Sequence, residues 1–366
     1  MADSLCWRVK TRLQWTGWLQ YIPNAVAALL TFLLACSGHL VAGHVLSCPL
    51  ALVGILLLLV LIFDLGTVKC GLRPWEPSPA RCDDLDAFDL MRRRRSCRSF
   101  QAKKLTAADL GEVMDCVRHR TAPGRLLGAS AIRLEYVAAP LTVWPVVGAH
   151  EFLVAIAPRE YSREAVIDVG RSLQKVVLHA TRMGLATCWI GPGADHESVI
   201  RHLGDRFDPN KDHIICVCAV GYASAYLPAS LRLIIKIQNR RLPLSSLFFA
   251  DAHFREPLDV ERHPFGRYGR CFEVCQWSPS SFNAQPTRCV GAKSGKRFDF
   301  YSATPSRFYS PVALGIWLAN WETGCEALKI PGHLEVLAPV ERELADVRCV
   351  SDGTPRYDVS WVADDR

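Results

Sequence analysis

The chain has 366 residues, of which half are hydrophobic and 22% charged, with a formal net charge of +7. That length calls for more than one unit of ordinary size, and that hydrophobicity excludes intrinsic disorder. The 24 Gly and 22 Pro are too few for a fibrous or low-complexity chain, and the charge is milder than that of most nucleic-acid binders, which argues against nucleic acid as a partner.

Residues 1–21 form a basic and aromatic segment, with Arg8, Lys10 and Arg12 among Trp7, Trp15, Trp18 and Tyr21. Residues 22–65 hold most of the apolar excess, in two runs at about 22–42 and 45–65. Each is long enough to cross a hydrocarbon core of ~30 Å. Pro23 falls in the first turn, where its missing N–H costs little. The connector SGHLVAGH is small and uncharged, and Lys and Arg flank the pair on both outer sides. The positive-inside rule then predicts a two-pass membrane hairpin in contact with lipid, with both ends on the cytosolic side. A cleaved signal peptide would have one shorter apolar run. The 15 cysteines are an odd, scattered set without a CxxC pair, which points away from a disulfide framework and toward a reducing compartment.

Residues 66–89 are rich in Pro and acidic side chains without periodicity and read as a linker. Beyond them the spacing predicts a helix capped by Thr106, strands at 132–138 and 152–157, and a long amphipathic helix over 163–183 stopped by Gly184. Strands at 187–190 and 213–220 follow, then a basic amphipathic stretch. The pattern then restarts with a helix over 266–277, a turn-rich segment, short strands near Cys289 and Phe298, and a helix from about Pro311. Ile167-Asp-Val-Gly170 and Val312-Ala-Leu-Gly315 place a glycine at the same step of an apolar run, a weak internal repeat of an α+β unit.

HExxH, GxSxG, a complete phosphate loop and GxGxxG are all missing, as are zinc and iron–sulfur spacings. Two segments could carry chemistry. In RRRRSCRSF, residues 92–100, clustered guanidiniums beside a hydroxyl suit a phosphate; a juxtamembrane polybasic patch attracting anionic lipid is the alternative. In SPSSFNAQP, residues 278–286, hydroxyls and amides in a Pro-pinned turn could hydrogen-bond a polar heterocycle; an ordinary surface loop is the alternative.

Taken together, RRSxRxF and PSSxNxQP resemble the two flavin-contacting signatures of the nitroreductase family. GRSLQKVVLHATRMGLATCWIG resembles that family's core helix and following strand, and GYASAYLP with NRRLPLSSLFF resembles its closing segment. The resemblance covers 90–345. The turn stands far downstream of the first motif, which is similar to the subgroup with two nitroreductase-like halves fused in one chain, here at about 90–250 and 251–345, with 346–366 left as a C-terminal tail. The implied fold is α+β, a fused pseudo-dimer preceded by two transmembrane helices. The resemblance implies FMN, with NADH or NADPH as donor and an electron-poor small molecule as acceptor in a ping-pong cycle. It assigns the FMN phosphate to Arg94, Arg95, Ser96 and Arg98, with Arg241 from the other side. Pro279, Ser280, Ser281, Asn283 and Gln285 would bind the ring and ribityl chain, and the backbone of Gly191 would donate near the reactive nitrogen. The flavin carries the chemistry, so no catalytic side chain and no metal is expected. Thr287 stands where the family often has Trp, Phe282 replaces a small or polar residue, and the second half lacks its own arginine motif, so one FMN per chain is expected. Reductive dehalogenation on the same scaffold, or a non-catalytic membrane-tethered module, are the alternative readings.

Overall fold

The computed structural model describes residues 5–237, 240–342 and 355–364. Helix α1 (Leu5–Trp15) precedes the long helices α2 (Ile22–Ala42) and α3 (His44–Asp64), which pack along their lengths. Both are long and apolar enough to cross a membrane, and their leucines face outward, Leu33 being 56% exposed and Leu56 54%. The expected connector is helical as far as Ala42, and the reversal falls on Gly43 alone, at φ 59°. A single glycine in the left-handed region is enough to reverse the chain. One wider turn, Leu65–Lys69, ends the hairpin, and Lys69 Nζ donates back to the Thr16 carbonyl at 2.8 Å.

The stretch expected as a linker is extended but docked. Ala225 N donates to Glu76 Oε1 at 2.7 Å, Gln101 Nε2 to the Pro77 carbonyl at 3.1 Å and Cys82 N to the Arg182 carbonyl at 2.7 Å. Its last residues are already helical. Helix α4 (Ala87–Arg93) is capped by Asp86, whose side chain accepts Asp89 N at 2.7 Å. Two turns are too few for periodicity to declare them.

Helix α5 (Ala107–Arg120), strands β1 (Arg133–Ala138) and β2 (Glu151–Pro158), helix α6 (Arg163–Arg182), strand β3 (Ala186–Ile190), helix α7 (His196–Leu203) and strand β4 (Asp212–Gly221) build the first sheet and its cover. Strand order is β1-β2-β4-β3, all antiparallel. Helices α5 and α6 bury Val113, Val166, Val169, Leu173 and Val177 against one face. Helix α7 and Phe100 close the other. This two-sided cover explains why β2 and β4 read as unbroken apolar runs.

Helix α8 (Ala229–Ile237) leads to the short strand β5 (Phe248–Phe249). Helix α9 (Arg270–Gln276), strands β6 (Thr287–Gly291) and β7 (Arg297–Ser302), helix α10 (Tyr309–Ala327) and strands β8 (Gly332–Glu335) and β9 (Arg356–Ala363) follow. The second sheet runs β5-β6-β7-β9-β8. β5 therefore pairs in the second sheet although it precedes residue 250, so the chain crosses over before the expected midpoint. The expected C-terminal tail needs correction as well. β9 lies between β7 and β8 with Val359 and Trp361 buried, while 346–354 fall outside the described residues. Its partners are β7 and β8, not adjoining residues, so the segment itself carries no local sign of the pairing.

Helices α6 and α10 pack against each other between the sheets, α6 on β2, β3 and β4, and α10 on β6 and β7. The resulting α+β layers run sheet, helix, helix, sheet. Two polar ties cross the helix pair. Arg171 donates Nε and Nη2 to the two carboxylate oxygens of Glu322, each at 2.7 Å, with Lys175 Nζ 2.9 Å from the same group. Gln174 Nε2 donates to Asn320 Oδ1 at 3.1 Å.

Candidate functional site

The basic run after α4 does not form one patch. Arg92 Nη1 lies 2.9 Å from Glu273 Oε1 of α9, whereas Arg94 turns inward and is only 4% exposed. The chain then lies along the outer edge of β3. Ser96 bridges Thr187, and Cys97 N donates to the Thr187 carbonyl at 2.8 Å. Val147 N donates to the Arg98 carbonyl at 2.9 Å, and Phe100, 1% exposed, anchors the segment in the core. Each arginine is thus carried by backbone fixed on both sides.

Arg94, Arg95 and Arg241 converge across the two halves. The charged neighbours acting on Arg94 are Arg241 and Arg95, and burial first, then these two cations, push its guanidinium down to about 10. Arg241 is lowered by burial and then by Arg95. Arg94 Nη1 and Arg241 Nε are buried without a hydrogen-bond partner. Nearby sulfur supplies no negative charge, because burial pushes the Cys97 thiol up to about 11 and raises Cys188, against the pull of Arg98 and Arg94. A guanidinium this buried, with cations for neighbours and an orphaned N–H, is costly unless an anion completes it.

The turn at 278–286 holds Arg241 rather than standing open. Arg241 Nη1 donates to the Ser278 carbonyl at 3.1 Å and to Asn283 Oδ1 at 2.6 Å. Gln285 Oε1 accepts Leu242 N at 3.0 Å, and Ser280 Oγ accepts Gln285 N at 2.9 Å. Pro279 and Ser281 are half-buried within the same turn. Phe282, Asn283 and Gln285 all have positive φ, at 51°, 56° and 48°. Three non-glycine residues in the left-handed region cost free energy that surrounding contacts must offset. Below the turn, Asn320 of α10 donates to Ser278 Oγ at 2.7 Å, so the helix pair and the turn are tied in one chain of bonds. Phe282 is 75% exposed, and Thr287, 1% exposed, opens β6 opposite Ser302.

Sequence reasoning missed Trp277. The Arg95 guanidinium carbon lies 5.3 Å from its ring centroid and that of Arg241 lies 5.5 Å away. Its place directly before the SPSS segment was the available signal. Gly191 directly follows β3, and a Cβ there would stand 3.3 Å from the Tyr309 ring. It lies four residues along β3 from Thr187, roughly 13 Å at strand rise. Two surface cavities, of about 450 Å³ beside Glu322 and Trp361 and about 300 Å³ beside Arg159 and Phe308, lie apart from the arginines. Uncompensated buried charge marks the arginine cluster more specifically than concavity marks either cavity.

The family described as "Putative TM nitroreductase" matches residues 86–325, well over half of the chain. The protein belongs to the nitroreductase family. Similar solved structures include a "putative nitroreductase" from Thermotoga maritima, with 15% identity over 80% of this chain and 96% of that one, at a TM-score of 0.46. Nitroreductases crystallised with bound FMN from Bacteroides fragilis and Desulfitobacterium hafniense share 16% and 18% identity. They cover 38% and 39% of this chain and 89% and 93% of their own, at a TM-score of 0.32 each. No curated protein sequence matches the chain. The matched nitroreductase segment starts at Asp86, the cap of α4, and reaches Cys325 in α10, so it takes in both signature segments and both central helices.

Proposed function

We propose that this nitroreductase-family chain is a membrane-anchored FMN-dependent oxidoreductase. It would pass electrons from NADH or NADPH to an electron-poor small molecule, donor and acceptor occupying one site in turn. The observation that carries this reading is the buried arginine group. Arg94 and Arg241 have orphaned N–H donors and depressed guanidiniums, and a phosphate monoester supplies the missing acceptors and charge. The residues present therefore fit the phosphate end of FMN. Bound FMN would supply the two-electron chemistry. Ser96 and Arg98 would flank the phosphate from the β3 edge. The Gly191 backbone would hold the ring end.

Pro279, Ser280, Ser281, Asn283 and Gln285 take a modified role in this reading. Asn283 and Gln285 already bond the segment that carries Arg241, so the turn positions the phosphate contact and offers its remaining backbone and hydroxyl groups to the ribityl chain. With Arg94 supplied by one half and the turn by the other, the site would be a single composite one, in keeping with the fused pseudo-dimer reading.

The outward leucines of α2 and α3 support a bilayer around the hairpin, because exposed apolar surface of that extent is stable in lipid. The hairpin is also joined to the rest of the molecule. Ala229 N donates to Asp64 Oδ2 at 2.9 Å, and Ser230 Oγ donates to the Gln20 carbonyl. The helix so tethered, α8, ends four residues before Arg241, which would hold the site close to the membrane surface.

The test is direct. The full chain, purified in detergent, should carry a yellow chromophore that bleaches anaerobically with NADH or NADPH and recovers on addition of a nitroaromatic or quinone. Colourless protein that cannot be reconstituted with FMN would overturn the reading. Recovery only with halogenated phenols would point to dehalogenation.

A further inference from the structure

We propose that Trp277 is a positioning residue that holds Arg95 and Arg241 ready for the phosphate; this rests on the flavin reading above. Trp277 caps the C-terminus of α9, its N–H donating to the Glu273 carbonyl at 3.2 Å, so its backbone belongs to the second half. Arg95 comes from the β3 edge of the first half, and Arg241 from the segment that crosses between them. The ring therefore meets one cation from each, at 5.3 and 5.5 Å.

Arg95 is exposed and Arg241 half-buried; burial first, and then repulsion by Arg95, lowers the Arg241 guanidinium. An indole face attracts both without neutralising either. Arg95 Nη1 already donates to the Arg92 and Arg94 carbonyls and Arg241 Nη1 to Ser278 and Asn283, and the ring leaves their remaining N–H donors unspent, which a carboxylate partner would consume. Glutamate at this position would collapse the site into an ion pair, and leucine would let the cations separate. Trp277 thus keeps the charge concentrated while the phosphate is absent. The Ser278 carbonyl, one residue on, fixes the second side of Arg241 at 3.1 Å, so ring and turn act on the same side chain.

The experiment compares the full-length chain with Trp277→Leu and Trp277→Phe, measuring affinity for FMN, for riboflavin, which lacks the phosphate, and for inorganic phosphate. Trp277→Leu should weaken FMN and phosphate by about tenfold, the loss of two cation–π contacts, and leave riboflavin within about twofold. Trp277→Phe should restore most of the FMN affinity. An equal loss of FMN and riboflavin would reduce Trp277 to a structural residue and overturn the inference, as would an unchanged affinity for FMN. If wild type binds phosphate through Trp277 but neither flavin, the inference stands and the flavin reading falls. If wild type binds none of the three ligands, both fall.

Discussion

Gly170 of α6 and Gly315 of α10 stand face to face where the two helices cross. A Cβ built on Gly170 would lie 2.3 Å from the Val312 carbonyl oxygen, and one built on Gly315 would lie 2.0 Å from the Ile167 carbonyl oxygen. Each glycine thus meets the residue three positions before the other, the reciprocity expected of a two-fold axis. The contact is backbone against backbone, so no side chain can move aside. Gly170→Ala and Gly315→Ala should each destabilise the chain by roughly 2–4 kcal/mol, more than ordinary overpacking, and by similar amounts. Thermal melts of the detergent-solubilised protein would measure this. A variant melting within a degree of wild type would contradict the close approach.

Arg94 should have opposite effects on stability and on binding. Arg94→Met removes a buried charge whose charged neighbours are cations and fills the space with an apolar chain. The flavin-free protein should become more stable by about 1–3 kcal/mol, because a buried uncompensated charge is replaced by packing. FMN affinity should fall by about 1.5–3 kcal/mol with the loss of a charge-assisted bond. Melting temperatures with and without FMN measure both effects at once. Parallel losses in both would mean that Arg94 is structural.

Glu322 links the two central helices in a pH-dependent way. Burial raises its carboxyl, but Arg171 and Lys175 outweigh that and hold it below the ordinary glutamate range. A depressed folded value contributes stability above the unfolded pKa, about 4.3, and loses it as pH falls through the lower folded value. Glu322→Gln should therefore cost roughly 3 kcal/mol at pH 7, where it leaves two buried cations. The gap to wild type should close below about pH 4. Melts from pH 3 to 8 would show it, and a gap that stays constant over that range would contradict the assignment.

Asn320 connects the helix pair to the candidate site. It accepts from Gln174 at 3.1 Å and donates to Ser278 Oγ at 2.7 Å. Asn320→Leu should strand both partners and cost about 1–3 kcal/mol. It should also raise amide hydrogen exchange across 278–286, because the strained turn loses its fixed base. Unaltered exchange there would show that the bonds to the 240–242 segment hold the turn without Asn320.

Asp64 holds the hairpin to α8 by accepting Ala229 N at 2.9 Å. Asp64→Ala should speed hydrogen exchange in the first turn of α8 through loss of a cap of about 1 kcal/mol. The flavin spectrum should not change. A lost spectrum would mean that the tether shapes the site itself.

The sequence by itself determined what depends on neighbours along the chain. Two long apolar runs declared α2 and α3, and 3.6-residue periodicity declared α6. Cap chemistry at Thr106 and Gly184 set helix ends where the structure has them. The two arginine- and hydroxyl-bearing segments were legible by composition, and so were the matched glycines. Tertiary structure alone decided the partners. It made Arg92 an exposed ion pair and Arg94 a buried cation, two residues apart in one basic run. It turned Asn283 and Gln285 inward onto the segment carrying Arg241, and brought Trp277 against both Arg95 and Arg241. It placed β9 inside a sheet, between β7 and β8. Periodicity and capping are local properties that each segment carries with it. Burial, charge compensation and strand pairing belong to groups brought together only when the two halves close on α6 and α10.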